Sequence, residues 1–205
     1  MKMLNLVLRL CCISLLICAS GTASFAAAGS GPVLEYTSDK SLEKGIINQM
    51  VKRQGRFTIT FSQQDRFKRV SLINKLWMPM IKKILRENDY LRYSFIRKGK
   101  YMARIHDYRI EADFKYHTDQ EQERDVTREV RKVLAGIVSE NDSAEKKTTA
   151  IYNWIRDNVA YESAMDDKCA DDKCTAYGAI VNKKANCMGY AALAHRMLNR
   201  AGVEN

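Results

Sequence analysis

The spacing of apolar positions changes repeatedly along this chain, and each change predicts a different element. Arg56 to Phe61 alternates polar and apolar, the period of a half-buried strand. Val70, Ile73, Leu76, Trp77, Met80, Ile81, Ile84 and Leu85 recur at helical spacing, and Pro79 kinks that helix or opens its second part. Leu91, Tyr93 and Phe95 return to alternation. The clearest strand sets Tyr108, Ile110, Ala112, Phe114 and Tyr116 on one face and Arg109, Glu111, Asp113, Lys115 and His117 on the other. One dry and one wet face is the pattern of an antiparallel sheet.

Helical spacing then takes over. Val126, Val130, Val133, Leu134, Ile137 and Val138 define one helix; Ile151, Trp154, Ile155 and Val159 define a second, opened near Ser143. A last helix follows Asn186, with Tyr190, Leu193, Ala194, Met197, Leu198 and Ala201 as its apolar stripe and Gly202 as its stop. The predicted class is α+β: a small α+β module over 41–117, then a mainly helical unit over 118–205.

Ahead of the module, Lys2 and Arg9 precede an apolar or small run from Leu10 to Ser20, and Ser24 to Ala28 offers the small-x-small pattern that a signal peptidase cuts. Residues 1–28 are expected to be a secretory signal, with an uncleaved anchor or a lipoprotein site at Cys18 as the alternatives. Residues 29–40, with Gly, Ser and Pro, read as a tether. The chain is therefore expected at the cell surface or outside the cell.

Charge divides the remainder. Residues 36–117 hold 19 Lys or Arg against 8 Asp or Glu, whereas 118–205 hold 13 against 15. A basic front module outside the cell can adhere to anionic wall polymer or a membrane surface, though a solvated basic face explains the same counts. No nucleic-acid module is recognisable, and no nucleic-acid partner is expected.

Of six cysteines, Cys169, Cys174 and Cys187 lie beyond the signal. An odd number in an exported chain suggests one pair and one thiol. Cys169 and Cys174 sit in the repeat Asp-Asp-Lys-Cys-Ala-Asp-Asp-Lys-Cys, near enough to bridge a tight loop; an unstructured loop is the alternative. Neither zinc nor calcium spacing is present, and no metal or cofactor is expected. Cys187 then falls at the first position of the last helix, where amides at the helix start and the macrodipole favour an anion such as a thiolate. A single Cys at a helix start is also commonly structural.

The segment from Thr175 to Leu193, with Tyr177-Gly178-Ala179 ahead of Cys187-Met188-Gly189-Tyr190-Ala191, resembles the nucleophile region of the transglutaminase-like superfamily as found in secreted bacterial members. Ile151 to Tyr161 is similar to the helix upstream of it, and the resemblance covers about residues 122–205. It implies a papain-like fold in which Cys187 attacks an amide carbonyl of a protein or peptide to give a thioester, with a later His as base and an Asp to orient it. The backbone N–H of Cys187 is the implied oxyanion donor, and Tyr177 and Asn186 are candidate site-lining residues. The sequence stops at Asn205, before the strands that carry the family's His and Asp, so a truncated chain without efficient turnover is expected; a missing base removes about 100-fold or more in rate. His195 lies about 12 Å along the same helix, beyond reach of the thiol, and His106 and His117 precede the Cys in chain order. A non-catalytic surface protein is the competing reading.

Overall fold

The computed structural model describes residues 31–62, 71–96, 101–106, 108–163 and 172–204. Two hydrophobic cores organise them, one in each half of the chain. The first gathers around a four-stranded sheet of order β1-β2-β4-β3, built from β1 (Val33–Glu35), β2 (Arg56–Thr60), β3 (Tyr101–Ile105) and β4 (Arg109–Phe114). β4 runs antiparallel to both neighbours, pairing Ile110 with Ile59 and Ala112 with Ala103, while β1 joins β2 in parallel. The alternation along β4 sends Ile110, Ala112 and Phe114 into the core.

Two helices cover that sheet. α1 (Asp39–Val51) is capped by Ser38, whose hydroxyl accepts the Ser41 N–H at 3.2 Å, and buries Leu42, Ile46 and Met50. A π-helical stretch, Leu72–Trp77, leads into α2 (Met78–Glu87), which carries Pro79 in its first turn. Pro79 thus stands where the π-helical stretch passes into α2, the point at which a residue without an N–H interrupts the helical hydrogen-bond ladder. Met80, Ile81 and Ile84 are its buried stripe.

Two expectations are corrected in this half. Residues 33–35, expected inside a tether, form a strand whose backbone locks onto β2, and the first helix begins directly behind it. The alternation at Leu91, Tyr93 and Phe95 is not a strand: Asp89–Arg92 is a helical turn, α3, stabilised by Ser94 Oγ donating to the Leu91 carbonyl at 2.7 Å. Phe95 only bridges to Tyr116.

The second core is helical. α4 (Gln120–Ile137) starts at a capping box in which Asp119 and Gln122 satisfy each other's backbone N–H groups. α5 (Ala144–Asn158) is capped by Ser143, as its sequence predicts. Val126, Val130 and Leu134 meet Ile151 and Ile155 in this core. A two-residue parallel clasp, β5 (Ala160–Tyr161) on β6 (Lys184–Ala185), joins the chain before and after the Cys-bearing segment. Between them lie a 3-10 turn, Asp172–Cys174, and α6 (Ala176–Ile180); α7 (Cys187–Arg200) closes the unit. Gly202 ends it at φ 74°, a backbone angle that glycine adopts without strain. No helix among the described residues is long and apolar enough to cross a membrane.

Candidate active site

Asn186 fixes the start of α7. Its Oδ1 accepts the N–H groups of Met188 at 2.9 Å and Gly189 at 3.2 Å, so two of the orphan amides of the first turn are satisfied by one side chain. Its own N–H donates to the Lys173 carbonyl at 3.0 Å, and its Nδ2 donates to Cys174 Sγ at 3.0 Å. The helix start is thereby tied to the 3-10 turn across both backbone and side chain.

Gly189 permits that closeness. A Cβ there would overlap the Lys173 carbonyl oxygen and crowd the Ala185 methyl and the Thr175 carbonyl. The same close packing recurs at Gly178 in α6, where a Cβ would overlap the Asp172 carbonyl. Both glycines are buried. The Cys-x-Gly string thus has a packing reason: the second residue after the cysteine must let the helix lie on the neighbouring backbone.

Cys187 is a free, exposed thiol at the first position of α7. Its backbone N–H makes no protein hydrogen bond among the described residues. The thiol opens onto a cleft of about 440 Å³. One wall is α7 itself, with Met188, Ala191, Ala192 and His195, next to Cys174 and Thr175. The other wall comes from the front module, with Asp89, Tyr90, Tyr93, Ser94 and His117. The site is composite, and the two sequence modules meet at it.

A buried charge network forms its floor. Arg53, whose side chain is 2% exposed, donates to Glu123 Oε1 at 2.8 Å and to the Met50 carbonyl at 3.1 Å. Its Nε donates to Thr118 Oγ1 at 3.2 Å. The guanidinium sits between the rings of Tyr90 and Tyr116, 5.5 and 5.4 Å from their centroids. The Tyr90 hydroxyl donates to the Glu123 carboxylate at 3.1 Å, and the Arg196 guanidinium also lies over the Tyr90 ring, 5.0 Å from its centroid. Burial, then the Glu123 charge, holds the Tyr90 phenol far above its ordinary range. Burial does the same to Tyr116.

The histidines fall as follows. His195 pairs with Asn199 at 2.9 Å and stacks on Tyr90 at 6.1 Å between centroids. His117 lines the cleft from the front module; its Nδ1 is buried with no hydrogen-bond partner among the described residues, and desolvation pushes its pKa below the ordinary imidazole value. Tyr177 packs half-buried on the second core and is not among the described residues that line the cleft. Cys174 is buried and disulfide-bonded. Cys169 and the Asp-rich stretch around it lie outside the described residues.

Sequence reasoning missed Arg53, Tyr90, His117, Thr118 and Glu123 as parts of the site. Arg53 alone carried a local signal, a non-glycine residue at φ 54° behind a helix, and that is visible only in the backbone.

No curated protein matches the chain. Residues 131–205 match the family model of the transglutaminase-like superfamily, a span that holds most of α4 and everything after it, including Cys187 and its cap. In this C-terminal part, residues 131–205, the chain is similar to the transglutaminase-like superfamily.

Proposed function

We propose that this chain is an exported cysteine enzyme of the acyl-transfer type, acting on protein or peptide amides through Cys187. The observation that carries the reading is the free thiol at the head of α7, open to a cleft, with the backbone N–H of the same residue without a hydrogen-bond acceptor among the described residues. In this reading the sulfur attacks an amide carbonyl, and the Cys187 N–H receives the developing oxyanion. Collapse expels the amine and leaves a thioester, which a second amine or water resolves. The mostly apolar α7 wall of Met188, Ala191 and Ala192 would hold the acyl chain away from water. Exposed cations of the front module, among them Lys52, Arg56, Lys82 and Arg109, support adherence to an anionic wall or membrane surface.

The test is acid-quenched mass spectrometry of the full chain after mixing with a peptide thioester. An acyl mass on the tryptic peptide Ala185–Arg196 is expected, and none in Cys187→Ala. Acylation elsewhere, or equal acylation in the variant, would overturn the reading.

A further inference from the structure

A second cavity, also of about 440 Å³, adjoins the Cys187 cleft, and Tyr90 and His195 line both. Thr127, Arg196, Asn199 and Arg200 also line it, and none of its lining residues is acidic. Arg196 and Arg200 stand one turn apart on α7, so two like charges share a side of the helix. A cation in the last turn complements the helix dipole, which accounts for Arg200. It does not account for a second guanidinium four residues earlier, drawn inward to donate to Thr127 Oγ1 at 2.7 Å.

The charges around Arg196 do not balance. Its Nη1 stands 3.8 Å from Glu123 Oε2, but Arg53 already holds Glu123 Oε1 at 2.8 Å. Among the described residues, Glu123 is the only carboxylate in ion-pair contact with either arginine. Two guanidinium groups therefore share one anion, with the Arg196 side chain only 28% exposed. Arg200 has no carboxylate partner among the described residues. One uncompensated, partly dehydrated positive charge beside a second cation draws an anion, and the planar guanidinium matches a carboxylate.

We propose that this second cavity is a carboxylate-binding subsite for an acidic peptide whose carbonyl lies at Cys187. The proposal rests on the acyl-transfer reading for the placement of the peptide, which runs from Cys187 along α7. At the helical rise, Arg196 and Arg200 lie about 13 and 20 Å from Cys187 along the axis. An extended peptide advances about 3.3 Å per residue, so the matching Asp or Glu stands about four to six residues from the attacked carbonyl. Its carboxylate accepts from Arg196 and Arg200, and a neutral residue at the same place forfeits that contact. The subsite thereby selects acidic substrates.

The probes are fluorescently labelled peptides with a single Glu, or a single Gln, about five residues before the terminal carbonyl. They end in an amide for binding and in a thioester for acylation. In fluorescence anisotropy with the full-length Cys187→Ala chain, the Glu amide is expected to bind about tenfold more tightly than the Gln amide, the scale of one charge-assisted hydrogen bond. Arg200→Gln should erase most of that difference, while Lys44→Gln, on the exposed side of α1, should leave it intact. Moving the Glu next to the carbonyl should erase it as well. Equal binding of the two peptides would overturn the subsite, as would a Glu preference that survives Arg200→Gln or ignores the position of the Glu. The thioesters separate this proposal from the one it rests on. A Glu preference in binding with no acyl mass on Cys187 supports the subsite and counts against acyl transfer alone. Acylation of Cys187 at equal rates by both peptides, with equal binding, counts against the subsite alone.

Discussion

Arg53 and Glu123 meet at 2.8 Å across 70 positions of sequence, and their ion pair is the hinge-pin between the sheet module and the helical unit. Both side chains are buried, at 2% and 11% exposure, so water cannot replace either partner. Removing one charge strands the other in a low-dielectric site, which typically costs about 3–5 kcal/mol. Arg53→Met is therefore expected to lower stability by that order in chemical denaturation, and Arg53→Lys to recover only part of it. Lysine lacks the planar fork that reaches Thr118, Met50 and Glu123 together.

The two glycine environments make a matched pair. Gly189→Ala forces α7 off the Lys173–Thr175 backbone, and an overpacking cost of about 1–3 kcal/mol is expected. Gly136 lies exposed in α4 with nothing within 4 Å of an added Cβ. Gly136→Ala should stabilise the protein by about 0.5–1 kcal/mol through helix propensity. Urea unfolding of both variants checks the contrast, and a loss in each would refute the packing argument.

Asn186 is expected to behave as a cap before anything else. Asn186→Ala removes the acceptor of the Met188 and Gly189 amides and should cost about 1 kcal/mol, whereas Asn186→Ser should cost far less. Thermal unfolding separates the two outcomes; equal losses would mean that the contact to Cys174 outweighs the cap.

Acid should weaken the fold through His117. Desolvation lowers its folded-state pKa below the unfolded value, so the unfolded chain binds the proton more readily. Its contribution is fully present above the unfolded pKa of about 6.5 and is lost as the pH falls toward the folded value. Denaturation midpoints measured from about pH 7.5 down to pH 5 should fall more steeply for the native chain than for His117→Gln. Parallel curves would show that another group carries the acid sensitivity.

Much of the second half is legible in sequence because its signals are local. Ser143, Asn186 and Gly202 mark helix ends by side-chain chemistry or backbone freedom, and each performs the predicted task. The front half is harder for stated reasons. β1 has only three residues and is made by pairing with β2, so no alternation could announce it. Leu91 and Phe95 share the buried face of a helical turn and a bridge, which mimics strand spacing over so short a run. The composite cleft was invisible because its two walls are brought together by Arg53, Tyr90 and Glu123, residues whose partners lie far off in sequence.

The β5–β6 clasp carries a further consequence. Ala160 and Tyr161 pair with Lys184 and Ala185, so the chain leaves and re-enters the helical unit through a single gate. The entropy of the intervening detour is settled at that gate and grows only slowly with added length. Insertions between Tyr161 and Asp172 could therefore accumulate over evolution while the nucleophile keeps its register, which makes this detour the natural place for relatives to differ.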